Sequence, residues 1–166
     1  MRGDPVKTRI LSVRILPNAD RMLLERFPVP AGHRSLGLIT TDCDDVSYAA
    51  LDEATKKARV EVIYARSMYA GSGNASTALA GEFIGILSGE NPEEVRSGLE
   101  AAICYIEHDA NFIQANDAGS VVYFAQCISR TGSYLSKAAG VPEGTAMAYL
   151  IAPPLEAIVG LDAAVK

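Results

Sequence analysis

The stretch "DCDD" places Asp42, Asp44 and Asp45 around Cys43, between an apolar run and an amphipathic one. Carboxylates packed this densely have two uses. The first is helix capping, in which Asp44 or a neighbour accepts hydrogen bonds from the free N–H groups of a first turn while another carboxylate gains from the helix dipole. The second is attraction of an ammonium group, because unit charges ~4 Å apart gain a few kcal/mol near a protein surface. An amino alcohol suits the second use: its cation meets carboxylates and its hydroxyl meets backbone groups. One residue can serve both uses. Glu82 follows Gly81 at the head of an apolar run and by itself reads as an exposed strand end. Phe112, in "NFIQAND", by itself reads as a core or staple residue.

Other chemistries find little support. His33 and His108 are the only histidines, and neither stands in a metal-spaced or triad-like pattern. "SRTGS" sets a serine beside a glycine without forming G-x-S-x-G. No two carboxylates are singled out as an acid/base pair. The sequence therefore names no catalytic residue and no metal ligand. "RSMYAGSGNAS" begins a G-x-G at Gly71 and Gly73, but no third glycine and no GK[ST] follow. The next segment reads as a strand, so the helix N-terminus that lets such loops hold phosphate is missing. Cys43, Cys104 and Cys127 lie far apart and form no CxxC. They read as small core hydrophobes in a reducing compartment, with oxidation between Cys43 and Cys127 across duplicated sheets as the alternative.

Composition narrows the partners. A net charge of −5 and a pI near 5.0 argue against nucleic acid, which needs a basic face, and lean towards cationic small molecules. No run reaches the ~18 apolar residues of a membrane helix, and the first residues do not read as a secretory signal. The expectation is a cytoplasmic protein with no membrane partner.

The elements that must position these residues follow from periodicity. "RILSVRIL" (9–16) reads as a strand and "NADRMLLERF" (18–27) as a short helix opened by Asn18 or Asp20. "RSLGLITT" (34–41) is an apolar strand, central or buried on both faces. "DDVSYAALDEATKKA" (44–58) is an amphipathic helix in which Val46, Ala50, Ala54 and Ala58 form a stripe of small residues. "VEVIYAR" and "EFIGIL" are strands joined by a long Gly-, Ser- and Asn-rich loop. "NPEEVRSGLEAAICYIEH" is a helix with Asn91 as N-cap, Pro92 at N1 and an apolar face of Val95, Leu99, Ala102, Ile103 and Ile106.

A repeat organises the chain. Sliding it by 112 residues sets Val13–Ile39 against Ala125–Ile151, so that Val29, Pro30 and Gly32 meet Val141, Pro142 and Gly144. Removing two residues then puts "LDEATK" (51–56) over "LDAAVK" (161–166). The spacing predicts a tandem duplication: a first unit over residues 1–110, and from residue 111 a second opening with a strand, a helix ended by Gly140, a strand and a helix. A full second copy would need roughly 50 further residues, so the expectation is a second domain that is incomplete at Lys166.

The longest strings carry a resemblance. "HRSLGLITTDCDDVSYAALDEATKKARVEVIYARSMYAGSGNAST", "NPEEVRSGL", "SRTGSYLSKAAG" and "AYLIAPPLEA" resemble the EutL family of ethanolamine-utilization microcompartment shell proteins, over residues 11–166. The resemblance implies an α/β fold of two tandem, circularly permuted bacterial microcompartment (BMC) domains, the second incomplete here. It implies a non-enzymatic shell protein in the cytoplasm that forms a pseudohexameric homotrimer and tiles with other shell proteins. A small acidic pore for ethanolamine would be lined by Asp44, Asp45, Glu82 and Phe112. A central pore would be gated by the loop carrying Met68, Tyr69, Gly71, Gly73 and Asn74. No cofactor is required, although some family members bind cobalamin. The rival readings are a soluble amine-binding regulatory α/β module, an enzyme of unknown class, and a shell protein of another pathway such as propanediol or ethanol metabolism.

Overall fold

A computed structural model describes residues 1–68 and 82–166. Two four-stranded antiparallel sheets carry the fold. The first is built from β2 (Ile10–Leu16), β3 (Ser35–Thr41), β4 (Val60–Met68) and β5 (Glu82–Gly89), in the order β2-β3-β5-β4. The second is built from β1 (Pro5–Val6), β6 (Phe112–Gln114), β7 (Val122–Ile128) and β8 (Met147–Ile151), in that order. Helices α1 (Arg21–Leu24), α2 (Asp44–Lys57), α3 (Pro92–Cys104), α4 (Ser133–Ala139) and α5 (Pro154–Ala164) complete the chain. The residues after α3 continue as a π-helical turn, Tyr105–Asp109.

Strand β3 is central, and both its faces are covered. Ile39 joins Val46, Ala50, Ala54, Phe83, Leu87, Val95 and Leu99 in the main core between the first sheet and helices α2 and α3. Leu36 joins Ala19, Ile63 and Ile86 on the other face. The small-residue stripe of α2 is buried at Val46, Ala50 and Ala54, which brings the helix close to its neighbours. Helix α3 starts as its sequence predicts: Asn91 Oδ1 accepts the Glu94 N–H at 2.9 Å, and Pro92 stands in the first turn.

The repeat is visible in the elements. β2 and β7, α1 and α4, and β3 and β8 each begin 112 residues apart, and α2 and α5 begin 110 apart. Gly32 and Gly144 occupy matching turns with φ of +90° and +86°, a backbone region that glycine adopts without strain. The first strand departs from the sequence alignment. Val13 pairs with Ile39, whereas the residue paired with Ile151 is Phe124, not Ala125. A one-residue slip exchanges the faces of a strand. Here it buries Phe124 completely and leaves Ala125 and Cys127 exposed.

Other expectations are corrected too. Cys104 and Cys127 are exposed and are not core residues, whereas Cys43 is partly buried and packs against the main core. All three are free, so Cys43 and Cys127 are not joined. Helix α1 spans only four residues, because Phe27 and Val29 are drawn onto the second face of the first sheet and Pro28 cannot continue a helix. Strands β1 and β6 were not expected.

Helix α2 is bound to the start of α4. Asp52 of α2 is fully buried, and its carboxylate accepts the Gly132 and Leu135 N–H groups, each at 2.8 Å. Helix α4 has no side-chain cap of its own, so a residue of another helix caps it. Gly132 is needed there for space: a Cβ would lie 2.3 Å from Thr55 Oγ1 and 2.7 Å from the Asp52 carbonyl.

Candidate functional site

The chain leaves β3 at Thr41, turns through Asp42 and Cys43, and starts α2 at Asp44. Hydroxyl groups fix this turn. The Thr41 and Ser47 side chains lie 2.6 Å apart, and both are within hydrogen-bond reach of the Cys43 carbonyl, at 2.9 and 2.6 Å. Cys43 is the N-cap and makes no side-chain capping bond. Asp44 therefore stands inside the first turn with Asp45 instead of capping it. Both carboxylates still gain from the helix N-terminus.

The three aspartates of "DCDD" have different fates. Asp42 is held by Arg9, whose backbone N–H donates to Oδ1 at 2.7 Å and whose Nε donates to Oδ2 at 2.8 Å. Asp44 Oδ1 accepts the Asp45 N–H at 3.0 Å. Asp45 Oδ1 accepts the Tyr149 hydroxyl at 2.7 Å. Among the described residues, neither Asp44 nor Asp45 forms an ion pair. Burial pushes the Asp45 carboxyl above its ordinary value of 3.8; the Tyr149 hydrogen bond works against this, and the Asp44 charge adds to it. Burial likewise raises the Cys43 thiol and, together with Asp45, the Tyr149 hydroxyl.

Asp42, Asp44 and Asp45 form one wall of a cleft of about 440 Å³. Phe112 and Gln114 of β6 line it as well, with Lys7 and Thr8 from the segment that joins β1 to β2. Lys7 is the cation at this site, and its ammonium group is anchored on the Glu107 carbonyl at 3.0 Å. Phe112 stacks on the buried Phe124 with ring centroids 5.4 Å apart, and Phe124 meets the Tyr149 ring edge-on at 5.5 Å. Two carboxylates outside any ion pair among the described residues, an aromatic side chain and a small volume suit a small organic cation. Among the described residues no group of His, Cys, Asp and Glu side chains is placed to hold a metal ion.

The structure thus brings Asp44, Asp45 and Phe112 together across nearly 70 residues of sequence. Glu82 heads β5, where it pairs with Met68, and its neighbour Phe83 pairs with Thr41. Glu82 is close to the same end of the first sheet but is not among the cleft-lining residues. Met68 closes β4, while Tyr69, Gly71, Gly73 and Asn74 lie outside the described residues. Sequence reasoning missed Arg9, Lys7 and Tyr149. The one available signal was the repeat, which sets Tyr149 opposite Gly37.

Comparison with known proteins agrees with this architecture. Residues 35–118 match the BMC domain family. The bacterial microcompartment shell protein EutL of Clostridium perfringens is 58% identical over 166 residues, covering 100% of this chain and 76% of that protein. The Escherichia coli EutL shell protein is 48% identical over 163 residues, covering 98% of this chain and 74% of the relative. The crystal structure of ethanolamine utilization protein EutL from Leptotrichia buccalis superposes with a TM-score of 0.91 at 60% identity, over 100% of this chain and 76% of that one. These relatives are shell proteins and not enzymes. No helix among the described residues is long and apolar enough to cross a membrane. With two α/β layers, the BMC match and this level of identity, the chain belongs to the EutL family of bacterial microcompartment shell proteins.

Proposed function

We propose that this chain is a structural subunit of the shell of an ethanolamine-utilization microcompartment, and that its acidic cleft is where ethanolamine binds as it crosses that shell. The observation that carries the amine reading is the pair Asp44 and Asp45, two carboxylates that form no ion pair among the described residues and that line, with Phe112, a cleft of about 440 Å³. The ammonium group of ethanolamine would sit at the carboxylates, and its two carbons would lie against the phenyl ring. Glu82, at the same end of the first sheet, would extend the acidic path.

The larger assembly belongs to the same proposal. Residues 1–110 form one BMC unit, and the chain from residue 111 belongs to a second, permuted one. Three copies close into a pseudohexameric trimer that tiles with other shell proteins. Gating of its central pore is assigned to Met68, at the end of β4, and to Tyr69, Gly71, Gly73 and Asn74, which lie outside the described residues. The cleft is too small for a corrinoid, so cobalamin has no place in it.

Titration calorimetry with ethanolamine, ethylamine and ethanol tests the cleft. Both amines are expected to bind, ethanol is not, and Asp45→Asn weakens amine binding by at least about tenfold. Equal responses to ethanol and ethanolamine would overturn the reading. Native mass spectrometry and electron microscopy at high protein concentration test the assembly. Trimers that tile into sheets support a shell subunit, whereas a monomer that binds amines and never tiles is a soluble amine-binding module.

A further inference from the structure

One contact behind the cleft, made by its lining residue Asp45, spans distant parts of the chain. Asp45 is on α2 and Tyr149 on β8, 104 residues apart, yet the tyrosine hydroxyl donates to Asp45 Oδ1 at 2.7 Å. Among the described residues the second oxygen, Oδ2, has no hydrogen-bond partner. The Tyr149 ring is itself fixed. It packs edge-on against Phe124, which is fully buried and which stacks on Phe112. The donor to the carboxylate and the aromatic wall opposite are thus parts of one rigid aromatic chain. The matching position in the first unit is Gly37, where a Cβ would come within 2.6 Å of Val95 and 2.9 Å of Leu99. The tyrosine is a feature of the second unit alone.

We propose that Tyr149 is the positioning residue of this cleft: its hydroxyl fixes Oδ1 of Asp45 and leaves Oδ2 to take the ammonium group of a bound amine. This rests on the amine reading of the cleft. An O–H bond to a carboxylate favours the charged form and holds its orientation. Burial and the neighbouring Asp44 charge act against ionisation of Asp45, and the Tyr149 bond opposes them. The other charged or titratable groups around the site are Cys43 and Tyr48 of α2, the Asp42–Arg9 pair, and Lys7 held on the Glu107 carbonyl. On β6, Phe112 and Gln114 carry no titratable group. Without the hydroxyl, Asp45 would be harder to ionise and free to rotate.

Tyr149→Phe keeps the ring and removes the donor. In the intact, ligand-free chain, NMR titration of the Asp45 side-chain carboxyl carbon is expected to show a midpoint moved to higher pH. The pH at which ethanolamine binding is half lost should rise in parallel, with affinity falling about tenfold near that midpoint and less at higher pH, a tenfold change being about 1.4 kcal/mol. A purely packing role would lower affinity equally at every pH and leave the Asp45 midpoint in place, and that result overturns the proposal. If the wild-type chain binds no ethanolamine but the Asp45 midpoint still moves, the amine reading fails and the Tyr149–Asp45 coupling stands. Should Tyr149→Phe not fold, fluorinated tyrosine supplies a stronger donor. The Asp45 midpoint must then move down, and an unmoved midpoint overturns the proposal.

Discussion

Helix α2 reaches the second unit through two carboxylates that lie two turns apart on it, and they are treated differently. Asp52 is fully buried, and both its oxygens receive backbone N–H groups of the second unit. Lys56 stands 3.6 Å away as its counter-charge. Asp45 is half-buried, has one oxygen committed to Tyr149, and lies on an open cleft with no cation of its own. A saturated carboxylate is a structural joint. A carboxylate with one oxygen fixed and the other open is equipped to bind. The same side chain, on the same face-to-face contact between units, acquires either role from the number of donors supplied to it.

Removing Asp52 gives the largest expected effect. Asp52→Ala strands two buried N–H groups and should lower unfolding stability by about 3 kcal/mol, read by chemical denaturation. A loss under 1 kcal/mol would mean that the joint does not hold the units together. Gly132→Ala attacks the same joint by filling space, since its Cβ would meet the Asp52 carbonyl at 2.7 Å. It should cost about 2 kcal/mol through overpacking, leaving the amine affinity near that of the wild type wherever the chain stays folded.

Asp45 gives the opposite pattern. Asp45→Asn should reduce ethanolamine affinity by at least about tenfold while leaving stability at neutral pH unchanged or raised, because an unpaired, partly buried charge is removed. Its pH behaviour sharpens the contrast. Asp45 holds its proton more tightly folded than unfolded. The Asp45 contribution to stability should therefore fall as pH rises from the ordinary carboxyl value of 3.8 through the raised one, whereas ethanolamine affinity should climb over the same interval. Denaturation and calorimetry across that window should yield wild-type minus Asp45→Asn differences whose slopes with pH have opposite signs. Two slopes of the same sign would mean that Asp45 is not the amine's partner. The smallest expected effect is that of Arg9→Gln, which leaves Asp42 without its cation. Affinity should rise about twofold at low salt, and the gain should fade as salt screens it.

Much of the frame was legible in the sequence. β3 reads as a two-faced strand because its apolar run is unbroken, and α3 announces its start through Asn91 and Pro92. The "LDEATK" and "LDAAVK" echo matches the 110-residue offset between the starts of α2 and α5. The acidic turn was visible as a cluster, but not the division of labour within it, because Arg9 and Tyr149 come from other strands. Spacing cannot show that Cys43, and not Asp44, caps α2, since that depends on the extended backbone at Cys43. The Phe124 register was hidden because alternation in a short strand looks alike in either phase until its partner is known. β1 and β6 are too short to carry a pattern.

Strand β1 has one more consequence. Pro5 and Val6 pair with Ile113 and Phe112, so this short strand waits for partners more than a hundred positions later in the chain. A contact that distant closes late in folding, since its loop entropy must be met before the pairing is gained. Bulk added on this edge strand would press on the rim of the second sheet and on Phe112, the partner of Val6, and would leave the pairing of the first sheet untouched.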